Sequence, residues 1–472
     1  MSSKLRLHRR FSEPLLSFHP ERENDTSAHP LRGLLQYGPY TSGVLPDPIR
    51  IATIAPFGES QRLFDFLRHL HESWEPQERK NYLERWPGFH EVFGVKLTAA
   101  VKGCRIETGK DVEKEIAELD QPHLVLADRL TRLIQKLALS RSEFDVIFIY
   151  LPSRWSSGFD GGQGEDFDLR DHLKAVCAKQ SMPIQIVREG GALTYRDRAS
   201  VMWRIGIATY VKAGGVPWKL ANLVADVAHI GISYAVRPPD PNNSSRFVTC
   251  CSQVFDADGS GLEFIAYDTN DVQVQRSNPF LSRTEMFRVM TRSMDLYRRR
   301  NAGRVPRRVM LHKSTEFKQA EIDGAMEALQ ACDEIDLIQI VEDVAWQGVR
   351  FGSIKSNASQ PANYPVERGT LLSLSDFECL LWLHGDSDVT PKKSYFQGGK
   401  GTPRPLKLIR HAGHGNWDDT AISALALSKM NWNNDALYDH LPVTMSYSKT
   451  LARVIKRMDG LGSTPYQFRF FM

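Results

Sequence analysis

AHIGISYAV (Ala228–Val236), RFVTCCSQVF (Arg246–Phe255) and GLEFIAYD (Gly261–Asp268) read as three successive strands. DADGSG (Asp256–Gly261) carries turn chemistry between the second and third. It also looks like the opening of a calcium loop, but the twelfth position would be Tyr267 rather than Glu, so a hairpin is expected. A helical pattern runs from Arg283 to about Arg300, a strand follows in RRVMLHKS (Arg307–Ser314), and another helix runs from about Phe317 to Ala331. Three strands, a helix, a strand and a helix is the order of an RNase H-like domain. Upstream, IRIATIAP (Ile49–Pro56), VIFIYLP (Val146–Pro152) and IQIV (Ile184–Val187) are near-continuous apolar runs, as in strands buried on both faces. Helical patterns at His123–Leu139 and Asp168–Gln180 separate them. That alternation predicts a parallel α/β layer of Rossmann type. The expected class is therefore α/β, a Rossmann-like domain (48–220) before an RNase H-like domain (221–472), with residues 1–47 as a lead-in arm. No internal repeat is visible.

The chain has 472 residues, a formal charge of +4, 42% hydrophobic and 25% charged residues. These are ordinary globular values and exclude bulk disorder. No run approaches the ~20 apolar residues of a membrane span, so a soluble, cytoplasmic protein is expected. Cys104, Cys177, Cys250, Cys251, Cys332 and Cys379 form no C-x-x-C pair, which predicts free thiols rather than a disulfide framework or zinc site. The first residues, MSSKLRLHRR, are basic without an apolar signal core, and read as a surface arm. Leu15, Leu16 and Phe18 are its candidate partner contacts. Two basic groups, Arg298–Arg300 with Arg304, Arg307 and Arg308, and Lys392, Lys393, Lys400, Arg404, Lys407 and Arg410, are candidate nucleic-acid contacts.

Several strings, in order over the last two thirds of the chain, resemble the MID–PIWI half of Argonaute proteins. YVKAGGVPWKL (Tyr210–Leu220) is similar to the passage between the two domains, HIGIS (His229–Ser233) to the first PIWI strand, and VMLHKS (Val309–Ser314) to the strand that usually ends in Arg-Asp-Gly. PVERGT (Pro365–Thr370) and LALSKMNWNN…LPVTMSYSKTLARVI (Leu425–Ile455) are similar to the late PIWI core, and the chain ends in FRFFM. With no room for N and PAZ domains, it resembles a short prokaryotic Argonaute.

The helix at Asp168–Gln180 carries physical content of its own. Asp168 is a good N-cap, Leu169, Leu173, Val176 and Cys177 form one apolar stripe, and Arg170 and Lys174 share another face. A helix N-terminus beside two cations favours a phosphate; the alternative is a solvated polar face. The resemblance implies that Arg170, Lys174, Gln185 and Lys212 hold the 5′ phosphate of a guide strand. Arg170 replaces the family's usual Tyr, and His172 is the competing claimant for that position. The resemblance also implies a Mg²⁺ bridging guide phosphates to the terminal carboxylate of Met472.

RNase H chemistry uses two metal ions held by carboxylates. The positions that resemble the family's ligands are Ser233, Ser314 and Lys449, and Glu285 falls near its mobile glutamate. Asp226 and Glu316 lie outside the strands, and neither restores the geometry. Two hydroxyls and an ammonium do not hold a metal pair, so a cleavage-inactive protein is expected. His411 and His414 have metal-compatible spacing without further ligands, and the glycine runs at 161–164 and 398–401 fit no nucleotide-binding pattern. The resemblance then implies recognition of a single-stranded DNA target by a guide RNA with a 5′ phosphate. Output would pass to a partner, an APAZ protein carrying a sirtuin-like or TIR NAD-hydrolase effector, in defence against plasmids or phages. The competing expectations are a nuclease with an atypical metal site and a scaffold that binds nucleic acid without a guide.

Overall fold

Ile49–Ala55, Val146–Leu151 and Ile184–Arg188 pair in parallel, with Ile51 opposite Val146 and Ile147 opposite Ile184. Short strands at Leu97–Ala99 and Arg105–Glu107 also join Ile49–Ala55 in parallel. Alternate residues of these strands enter different cores. Ile51, Val146, Phe148 and Tyr150 join one apolar cluster, whereas Ile54, Ile147, Ile149 and Leu151 join the other. Burial on both faces is why the strands are apolar at nearly every position. Pro122–Ala138 and Leu169–Lys179 cover one face, and Ser60–His71 and Arg198–Lys212 the other. This is a Rossmann-like layer. The computed structural model describes residues 8–472 except 42, 44, 163, 222–225, 237–246, 256–262, 270, 276–277, 353–359, 362–364, 391–400, 459–460 and 462–464. The expected hairpin turn at 256–261 lies outside the described residues, as do Lys392, Lys393 and Lys400.

Among the described residues, the second domain is built on a ten-stranded sheet. At its centre Val227–Val236 pairs antiparallel with Phe247–Phe255 and parallel with Arg308–Lys313, which in turn pairs parallel with Glu334–Val341. Helices Arg283–Arg300 and Gln319–Ala328 cover one face through Met286, Val289, Met290 and Ala325. Helix Val443–Ile455 covers the other, and its Leu451, Val454 and Ile455 run into the apolar cluster of the first domain. This is the RNase H-like arrangement that the order of strands and helices predicts. The second helix is shorter at both ends than its apolar pattern suggested. No helix among the described residues is long and apolar enough to cross a membrane. Cys104, Cys177, Cys332 and Cys379 are free thiols.

The N-terminal segment differs from expectation. Leu16 and Phe18 are fully buried, and only Leu15 is exposed. Arg9–Arg10 adds an edge strand to the large sheet, with Arg9 opposite Leu371, and Leu16 pairs with both Leu220 and Ser27. The Phe18 ring lies where a Cβ on Gly33 would sit, so only glycine allows helix Pro30–Tyr37 to approach it. Leu16 and Phe18 are core residues, not partner contacts. Two-residue strands have no period to read, and the pairings of Leu16 with Leu220 and of Arg9 with Leu371 join residues hundreds of positions apart.

Candidate nucleic-acid interface

Asp168 caps helix Leu169–Lys179, its Oδ1 accepting from the Asp171 N–H at 2.8 Å. Leu169, Leu173 and Cys177 are buried, as the stripe predicts. Lys174 is not on a solvated face. Only 3% of it is exposed, and its Nζ donates to the Phe471 carbonyl at 2.9 Å. The C-terminal segment closes over the helix from the side that the sequence pattern left polar. Lys212 ends helix Arg198–Lys212, is equally buried, and donates to Gln185 Oε1 at 2.5 Å. Gln185 comes from the strand Ile184–Arg188.

One cavity of about 540 Å³ is lined by Arg170, Lys174, Gln185, Lys212 and Met472 together. His172 lies elsewhere, with its Nε2 at 3.2 Å from Thr131 Oγ1. The same cavity is lined by Arg188, Tyr195, Arg204 and Asn433, which the sequence reading missed. Two of these had a signal. Arg204 and Lys212 are eight residues apart and so share a helix face. Arg188 ends a parallel strand at the edge where ligand clefts of open α/β sheets form. Asn433 comes from the other domain and had none.

Burial, with Arg170 adding repulsion, lowers the Lys212 pKa to about 7. Burial, Arg170 and Lys212 together hold Lys174 well below the ordinary lysine range. In both cases the charged form is disfavoured in the empty cavity. An entering phosphate favours it, so binding takes up protons. Affinity for a phosphate monoester should therefore fall as pH rises from 7 to 9, by up to about tenfold per unit for each lysine. The monoester itself is fully ionised above pH ~7, so the trend belongs to the protein. Titrations in two buffers of different ionisation enthalpy would measure the uptake, and a flat profile would refute it.

Of the groups expected to hold Mg²⁺, Met472 lines the cavity, and the neighbouring side-chain oxygens are already engaged. Gln185 Oε1 already accepts from Lys212, and Asp168 Oδ1 caps a helix. Five basic side chains line the space, and no group of three His, Cys, Asp or Glu assembles among the described residues. No step is routed through a metal.

At the other candidate site, Ile232 pairs with Lys313, so Ser233, inside Val227–Val236, and Ser314, just past the end of Arg308–Lys313, come next on neighbouring strands. Lys449 is ion-paired with Glu342. Glu285 sits in the first turn of its helix, 3.6 Å from Arg288. His411 bonds Gln339 at 3.0 Å. The basic groups are partly structural. Arg308 is buried and donates to Asp336 at 2.5 Å, Arg410 lies 3.1 Å from the same carboxylate, and Arg307 pairs with Glu334.

A Rossmann-like layer thus carries a basic cavity that Asn433 and Met472, from the RNase H-like part of the chain, help to line. No family model matches the chain. Over 167 residues it is 29% identical to the Argonaute of Thermus thermophilus, covering 34% of this chain and 20% of that protein. Among solved structures it is similar to Clostridium butyricum Argonaute bound to a guide DNA and a 19-mer target DNA (TM-score 0.61, 13% identity, 96% of this chain and 53% of that one). It is also similar to Aa-Ago with externally bound siRNA (0.62, 14%, 98% and 56%) and to Drosophila Piwi (0.61, 14%, 98% and 56%). The chain spans about half the length of these structures and a fifth of the curated relative. At these identities the structural likeness establishes the fold, and the sequence likeness to an Argonaute extends over about a third of the chain.

Proposed function

We propose that this chain holds the 5′-phosphorylated end of a guide strand in the basic cavity and presents the strand for pairing with a target without cutting it. A deficit of negative charge carries the reading. Lys174 and Lys212 are buried, yet their amines donate to a carbonyl and an amide rather than to a carboxylate. A buried ammonium without a counter-ion is costly, and a phosphate dianion supplies what is missing. Sequence is then read by base pairing, while the protein grips backbone and duplex shape. The similar Clostridium protein, bound to guide and target DNA, supports two-strand recognition.

In the finer reading the guide is RNA and the target single-stranded DNA. Ser233, Ser314 and Lys449 supply no carboxylate for a metal pair, so output falls to a second protein. An APAZ effector with a sirtuin-like or TIR NAD-hydrolase, acting against plasmids or phages, is the partner that the family resemblance suggests. The direct test is binding of matched strands with and without a 5′ phosphate, in Mg²⁺ and in chelator. The phosphorylated strand should bind at least ~10-fold more tightly, and both affinities should fall steeply with salt. Equal affinities would leave an unguided scaffold. With Mn²⁺ and a matched target no cut should form, in wild type or in Ser233→Asp with Ser314→Asp. A guide-directed product from the wild type would replace this reading with an atypical nuclease.

A further inference from the structure

The cavity mouth is joined to the other domain by a continuous polar network. Tyr195 Oη donates to Glu78 Oε2 at 2.9 Å, and the Glu78 N–H donates to Asp197 Oδ2 at 2.8 Å. Asp197 caps helix Arg198–Lys212, whose Ser200 Oγ donates to Asp435 Oδ2 at 2.8 Å. Arg79 Nη2 donates to the same oxygen at 3.0 Å. Arg204 Nε lies 3.9 Å from Asp435 Oδ1, and Arg204 lines the cavity. Asp435 is only 4% exposed, and Asn433, two residues before it, lines the cavity too. The PIWI-like domain thus reaches into the MID-like one here with a buried carboxylate.

We propose that Asp435 is a positioning residue for strand binding: it aims Arg204 at the first internucleotide phosphates beyond the 5′ end. The inference rests on the guide-end reading above. Arg204 precedes Lys212 by eight residues of one helix, about 12 Å along its axis. That spacing suits a phosphate further along the strand than the one at Lys212. With its Nε edge turned to Asp435, the guanidinium keeps its other donors for a phosphate oxygen. Arg204 is about half exposed, so its direction depends on that partner rather than on packing. The site is then complete only when the two domains are docked.

The test is a double-mutant cycle of Asp435→Asn and Arg204→Gln in the full chain, read with 5′-phosphorylated and 5′-hydroxyl strands over a range of salt. Each single change should weaken both strands ~5-fold at low salt, leave the ratio between them intact and lower the salt slope by about 0.7. The double variant should be no worse than either. Additive losses, or a loss from Asp435→Asn confined to the ratio with the slope unchanged, would make Asp435 a purely structural residue and overturn the proposal. Should Asp435→Asn fail to fold, Arg204→Gln alone decides, because an unchanged slope there refutes the contact. A wild type that ignores the 5′ phosphate would instead overturn the guide-end reading itself.

Discussion

A chain carrying Lys174→Met and Lys212→Met should lose the advantage of a 5′-phosphorylated strand altogether while melting no lower than wild type. Each lysine offers a buried, charge-assisted hydrogen bond to the phosphate, worth about 1.5–3 kcal/mol. Two of them amount to about 10²- to 10⁴-fold in affinity. In the empty cavity the same residues are a burden, since burial and mutual repulsion push both pKa values down. The empty protein should gain stability as pH rises from 7 towards 10, because over that window the unfolded lysines hold protons that the folded ones do not. Methionine removes the buried charge and keeps the aliphatic stem, and such replacements are often neutral or stabilising. Lost binding with retained or raised melting temperature marks a site kept for a ligand. If the double variant melts lower and still prefers the phosphate, the lysines are structural and the guide-end reading fails. Anisotropy with paired strands and a thermal scan suffice to separate the two.

The parallel strands around Ile51, Phe148 and Ile186 were legible because burial on both faces demands an apolar residue at almost every position. The capped helix was legible too, since Asp168 and the Leu169–Leu173–Cys177 stripe are local signals. Lys174 was not legible as a buried amine. Its burial comes from Phe471, almost three hundred residues on, and a one-helix pattern assigns any non-apolar face to solvent. Lys212 and Gln185 were named through resemblance and Arg170 through the helix face it shares with Lys174, whereas Arg204 had a spacing that was there to be read. Asn433 and Asp435 depend on how two domains dock, which no local pattern carries. The N-terminal segment differs for a related reason: Leu16 lies in a two-residue strand too short for periodicity and pairs with the remote Leu220, and Phe18 lies outside any strand.

That segment also supplies the change expected to cost most stability. Glu13 is nearly buried, with both carboxylate oxygens 3.0 Å from Arg368 Nε and Oε1 also 2.8 Å from Lys429 Nζ. Burial pushes its pKa up, but the two cations outweigh it, and the carboxyl stays below the usual range. Lys429 is 3% exposed, and burial lowers its pKa to about 8 even with Glu13 beside it. Glu13→Ala should leave two buried cations without an anion, at a cost of about 3–5 kcal/mol. That is a large share of the ~5–15 kcal/mol that holds a typical domain folded, and denaturant midpoints would report it. The lysine can shed its proton, but the guanidinium of Arg368 keeps its charge. Adding Lys429→Met to Glu13→Ala should therefore recover part of the loss, and not all of it. The pH profile follows from the same pair. The Glu13 contribution is present above its unfolded pKa and lost as pH falls through the folded one, so Glu13→Ala should lack that step on the acid side. It should instead gain stability above pH 8, where the unpaired Lys429 is neutral in the folded chain and still protonated in the unfolded one. A shift below ~1 kcal/mol would mean that the segment lies on the surface as a loose arm, as the sequence alone suggested.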